Sequence, residues 1–162
     1  GPTTVRAKQD GTPTKSVLEY AEQRGLLTGV VTTQSIADAT PAANYAHSND
    51  RKKWGEIFPQ AFAPRFGDGV DVLFGAGRRK ISEQLTAAGT SFEQIGKTHG
   101  RPIHTTLAEN GAGEKRPVVV GDDMDARAAT LKALDILQKS SKGYFLVVEW
   151  DADTHAPREG LQ

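Results

Sequence analysis

The chain has 162 residues, enough for one domain with a real core, and its 37% hydrophobic and 25% charged residues are ordinary for a folded protein rather than a disordered one. Twenty basic and twenty acidic side chains cancel, and no dense Lys/Arg block occurs, which argues against nucleic acid or an anionic membrane surface as partner. The absence of cysteine excludes disulfides, thiolate metal sites and thiol nucleophiles, and no run of about 18 apolar residues suggests a membrane span.

In chain order, Thr14 is placed to cap a first helix whose apolar stripe is Val17, Leu18 and Ala21, with Gly25 ending it. Residues 26–33, containing Val30 and Val31, read as a buried strand. Asp38-Ala39-Thr40-Pro41 reads as a helix start, with Thr40 accepting an amide hydrogen bond and Pro41 in the first turn, and the helix is expected to run to about His47. An irregular stretch from Arg51 to Asp68 follows, then a short strand over 70–74. Gly75-Ala76-Gly77 turns that strand into a helix over 81–88. Met124, Ala128, Leu131, Leu134 and Leu137 recur at helical spacing after Asp123 or Asp125, and Tyr144 to Val148 forms a third apolar strand. Residues 90–122, rich in Gly, Thr and charge, read as a loop-rich insertion, with His99 and His104 as surface residues without carboxylate partners at useful spacing.

Strands alternating with helices predict an α/β fold: a three-layer sandwich with a largely parallel central sheet, in which residues 1–162 are expected to be part of a single domain. Ligands of such sheets sit beyond the carboxyl ends of the strands, which here are Thr32-Thr33, Gly75 and Glu149.

Two clusters lie at those ends. In Glu149-Trp-Asp151-Ala-Asp153-Thr-His155 the ionisable residues occupy every second position, so an extended chain projects them to one side. Three carboxylates and an imidazole converging there are stabilised by a divalent cation, with oxygen suiting Mg²⁺ and the imidazole admitting Zn²⁺. The same pattern fits a solvated loop with acids capping turns. Upstream, Asp38 and Thr40 either cap a helix or face a metal, and Arg51 is either solvated or presents its planar fork to two phosphate oxygens. The Gly75-Ala76-Gly77-Arg78-Arg79 turn gives only a weak phosphate-loop signal, because Lys80 stands where a dinucleotide fingerprint needs its third glycine.

Taken together, Gly29-Val30-Val31-Thr32-Thr33, Asp38-Ala-Thr-Pro-Ala-Ala and Asn49-Asp50-Arg51 resemble the alkaline phosphatase family. Asp71 to Arg78, the helix around Leu131 to Lys139, and Gly143 to Glu149 match in the same order. The resemblance implies that Thr40 and Glu149 bind Mg²⁺, that Asp38 supports that site and that Arg51 binds phosphate. Many family members place an Asp five residues and a His nine residues after the magnesium Glu, whereas Thr154 and Arg158 stand there in this chain. Some bacterial members are closer to Glu-x-Asp-x-His-Thr-Asp, and Asp153-Thr154-His155 exchanges the two ligand types. By that comparison Asp153 and His155 are the implied Zn²⁺ ligands, while Asp151 is a candidate metal ligand from the acidic cluster alone.

The family's nucleophile is a Ser that follows an Asp, and none of the seven serines here does so. The chain is therefore expected to be an internal piece of an enzyme that hydrolyses small phosphate monoesters through a phosphoserine, incomplete and inactive alone. Its partner is expected to be the remainder of its own domain or a second copy. The resemblance implies a periplasmic or secreted location, although residues 1–4 do not open a signal peptide. Two other functions remain compatible with the residues: a different metal phosphoesterase such as a phosphodiesterase, and a non-catalytic metal-binding module.

Overall fold

The computed structural model describes residues 4–8, 12–111 and 113–150. Among the described residues, five strands form one sheet: β1 (Leu27–Ser35), β2 (Val72–Ala76), β3 (Ile103–His104), β4 (Val118–Val120) and β5 (Tyr144–Glu149). Their order is β3-β4-β2-β1-β5, and every pairing is parallel. Among the described residues, the α-helices that accompany them are α1 (Val17–Gln23), α2 (Ala39–Ala42), α3 (Trp54–Ile57), α4 (Arg78–Ala87), α5 (Phe92–His99) and α6 (Ala126–Leu137).

The strands carry continuous apolar runs because both faces are covered. Val30, Leu73, Val118 and Val120 pack with Leu18, Ile57, Ile81, Leu85 and Phe92 on one face. Val31, Val72, Phe74 and Val119 pack with Ala129, Ala133 and Leu137 of α6 on the other. This is the expected three-layer α/β sandwich. Full burial of a side chain such as Phe74 stabilises the fold by roughly 1.5–3 kcal/mol.

Several local expectations shift. Ser16 rather than Thr14 caps α1, accepting from the Glu19 amide while Glu19 accepts from the Ser16 amide, and Val17 is exposed. In α6, capped by Asp125, the buried stripe is Ala129, Ala133 and Leu137, and Leu131 faces solvent. Small residues face inward because α6 comes close to the sheet: a Cβ on Gly29 of β1 would stand 2.9 Å from Leu137 Cδ1. The stretch 90–122 supplies α5, β3 and β4 rather than loop alone. His99 is exposed in the last turn of α5, whereas His104 lies on β3 with its Nε2 3.0 Å from the Glu114 carboxylate.

From β1 the chain moves to β2 on one side, while β5 takes the opposite side of β1. The carboxyl ends of β1 and β5 thus flank a topological switch point, where open α/β sheets form their ligand crevice.

Candidate phosphate and metal site

The β1–β5 register sets Thr32 opposite Glu149 at that crevice. Thr32 is fully buried, and its hydroxyl lies 3.3 Å from Glu149 Oε2. β1 is irregular here. Its pairing with β2 holds at Val31 opposite Phe74 and resumes at Ser35 opposite Ala76, and between them the Gln34 amide donates to Thr32 Oγ1 at 3.0 Å. Such bulges re-aim side chains and gather beside functional sites.

β1 then gives way to α2, which lies against both β1 and β5. Asp38, not Thr40, is the capping residue: its Oδ1 accepts from the Ala39 amide at 2.8 Å and from Arg51 Nη2 at 3.3 Å. One carboxylate oxygen thereby ties the helix start to the arginine. Both side chains are more than a third exposed, so the ion pair stabilises the fold by at most about 1 kcal/mol, and its consequence is positional. Thr40 sits exposed within the helix's first turn.

α2 ends at Ala42 rather than near His47 because side chains capture its terminal carbonyls and turn the chain inward. Asn44 Nδ2 donates to the carbonyls of Thr40 and Pro41, and the buried Tyr45 hydroxyl donates to the Ile36 carbonyl at 2.6 Å. Burial raises the Tyr45 phenol well above its ordinary range, so it remains a donor.

His47 fixes the next stretch. Its backbone is bracketed by Gln60, which accepts from the His47 amide at 2.9 Å and donates to its carbonyl at 3.0 Å. The ring Nδ1 lies 2.8 Å from the Arg6 carbonyl, and Nε2 lies 2.9 Å from both Glu19 oxygens. Both ring nitrogens face acceptors, a geometry that requires a proton on each. Burial opposes the charge, yet the Glu19 carboxylate and the Arg6 carbonyl outweigh it and raise the His47 pKa. Ser48 then accepts from the Asp50 amide and Asp50 from the Lys52 amide, forming the turn that carries Arg51.

Of the residues singled out in the sequence, Asp38 and Arg51 are joined directly, and Thr40 and Glu149 stand on adjoining elements. Asp151, Asp153 and His155 lie outside the described residues. Among the described residues, no three His, Asp or Glu side chains gather closely enough to hold a metal by themselves. The donors on the adjoining elements, two carboxylates and a hydroxyl, are hard oxygens whose chemistry suits Mg²⁺. Arg78, at the glycine turn, is engaged elsewhere: it donates to the Val120 carbonyl at 2.8 Å and stacks on Phe92. Two contacts were not legible in the sequence: that of Thr32 with Glu149, and the His47–Glu19 pair. Thr32 already stands out as a hydroxyl at the end of an apolar run, but a pair 28 residues apart leaves no local signal.

The family model for alkaline phosphatase matches residues 2–113. Alkaline phosphatase 4 of Bacillus subtilis is 31% identical over 163 residues, covering 90% of this chain and 34% of that protein. The human tissue-nonspecific alkaline phosphatase isozyme is 35% identical over 200 residues, covering 93% of this chain and 38% of the isozyme. A solved structure of a TAB5 alkaline phosphatase mutant with Mg bound superposes with a TM-score of 0.72 at 26% identity, covering 91% of this chain and 45% of that one. The chain spans about a third of the length of the curated relatives it matches. On the family match over most of its length and on its shared fold, this chain belongs to the alkaline phosphatase family.

Proposed function

We propose that this chain forms the magnesium and phosphate-arginine part of an enzyme that hydrolyses phosphate monoesters, acting in the periplasm or outside the cell. The observation that carries this reading is the Arg51–Asp38 pair at the start of α2, beside the strand end that bears Glu149. Arg51 offers its planar fork to two non-bridging oxygens of a phosphoryl group. Asp38 restrains it beforehand, so the cation is preorganised for charge that develops as the phosphorus–oxygen bonds change.

Asp38, Thr40 and Glu149 would hold Mg²⁺, Asp153 and His155 would hold Zn²⁺, and Asp151 of the same acidic cluster is a further candidate metal ligand. When bound, these ions supply Lewis-acid stabilisation of phosphoryl charge and lower the pKa of an attacking oxygen. In the overall reaction a serine oxygen attacks phosphorus, the ester alcohol departs, and water cleaves the phosphoserine to release phosphate. No serine of this chain follows an aspartate, so the attacking serine is assigned to polypeptide beyond these residues.

The test uses a longer polypeptide that contains this chain and shows phosphatase activity. Arg51→Ala is expected to lower kcat/KM by about 10²-fold and to weaken inhibition by inorganic phosphate. Glu149→Gln is expected to lower bound Mg²⁺, measured by atomic emission on the purified protein. Unchanged kinetics and unchanged metal content would remove both residues from the site.

A further inference from the structure

We propose that Thr32 is a positioning residue that aims the Glu149 carboxylate; the inference rests on the reading of Glu149 as a cation ligand. Three independent features fix the Thr32 side chain. The first is hydrogen-bond direction: Oγ1 accepts from the Gln34 amide at 3.0 Å, so the single hydroxyl proton is left to point at Glu149 Oε2, 3.3 Å away.

The second is packing. A Cβ on Gly75 would stand 2.8 Å from Thr32 Cγ2, which means the methyl occupies the notch that the glycine leaves, beside Ile36. A β-branched side chain is stiff at χ1, so a seated methyl also sets the direction of the hydroxyl. The third is register: Thr32 and Glu149 are direct partners across β1 and β5, so no loop intervenes between the residue that aims and the residue that is aimed.

At 3.3 Å the contact is longer than the usual 2.7–2.8 Å of an O–H···O bond. Its role is orientation rather than strength. Carboxylates that bind cations are commonly held by an outer hydrogen-bond partner, and losing such a partner typically weakens metal affinity about 10- to 100-fold. Thr32 is fully buried, and its hydroxyl has no other described acceptor to serve.

The test is Mn²⁺ titration of the 162-residue chain, followed by electron paramagnetic resonance, with Thr32→Val, Thr32→Ser and Glu149→Ala as variants. Thr32→Val keeps the shape and loses the hydroxyl; Thr32→Ser keeps the hydroxyl and loses the methyl. Positioning predicts that Thr32→Val weakens Mn²⁺ binding about 10-fold or more, and that Thr32→Ser, which keeps the hydroxyl but loses the methyl that aims it, is weakened less than Thr32→Val. A purely packing role predicts the reverse order, and that order would overturn the proposal. Wild-type affinity in Thr32→Val, with binding lost in Glu149→Ala, would also overturn it and leave the reading of Glu149 standing. Failure of the wild-type chain to bind Mn²⁺, or undiminished binding by Glu149→Ala, would instead overturn the reading of Glu149 itself.

Discussion

Replacing Glu19 by Gln removes the negative charge facing His47 while keeping the side chain's shape. The two side chains are 1% and 3% exposed, so solvent cannot compensate, and breaking a buried pair of this kind costs about 3–5 kcal/mol. The cost depends on pH, and its sign follows from the His47 pKa, which folding raises above its ordinary value near 6.5. A raised pKa means that the folded state binds the proton more tightly than the unfolded state. The stabilisation is therefore complete below the unfolded pKa and is lost as pH rises through the folded pKa. The groups that set this balance are the Glu19 carboxylate, the Arg6 carbonyl and Arg65, with the Arg65 charge acting against the proton.

The assay is urea denaturation followed by the fluorescence of Trp54 and Trp150, at pH 5.5 and again at pH 9. At pH 5.5 Glu19→Gln is expected to be about 3–5 kcal/mol less stable than wild type, and the gap should shrink at pH 9. A gap of the same size at both pH values, or one below about 0.5 kcal/mol at pH 5.5, would refute the assignment of a charged His47.

Two further outcomes can be measured on the same chain. Gly75→Ala would push a methyl into the Thr32 and Ile36 side chains at 2.8 and 3.1 Å, and overpacking of this kind costs about 1–3 kcal/mol, readable as a lower thermal midpoint. Glu22 has its pKa raised to about 7, by burial first, with the Thr28 hydrogen bond opposing and Asp68 and Asp71 adding to the rise. Its folded pKa lies above the unfolded value, so it costs stability as pH rises from about 4.5 through 7. Glu22→Gln should thus stabilise the chain at pH 8 by on the order of 1 kcal/mol, after allowance for its partial exposure, and leave it unchanged at pH 4.

β1, β2 and β5 are readable from the sequence because each is an apolar run bounded by turn residues. β4 is only Val118–Val120 and β3 only Ile103–His104, too short for any periodicity to declare itself. α5 did carry a signal, Ser91 three residues before Gln94, and the structure shows Ser91 accepting from the Gln94 amide. The surrounding Gly and Thr obscured it. The end of α2 is not legible in the sequence because it is set by Asn44 and Tyr45, whose helical propensity says nothing about which carbonyls their side chains will reach. In α6 the 3.6-residue period was visible, but which face turned inward depended on how closely Gly29 allowed the helix to approach. Asp38 and Arg51 could be linked from the sequence because a family motif joins them. Thr32 and Glu149, 117 residues apart, could be linked only by strand register.

That separation has a consequence for how the chain comes into being. At a synthesis rate of about 5–20 residues per second, Glu149 leaves the ribosome roughly 6–23 s after Thr32. Meanwhile the edge of β1 that β5 will occupy has no strand to pair with, while its other neighbour, β2, has already emerged. The nascent chain therefore passes through an interval in which Leu27–Thr32 is a half-finished template for any extended segment nearby. Slow translation before residue 144 would lengthen that interval, and misassembly in this protein should depend on the speed of synthesis as well as on final stability.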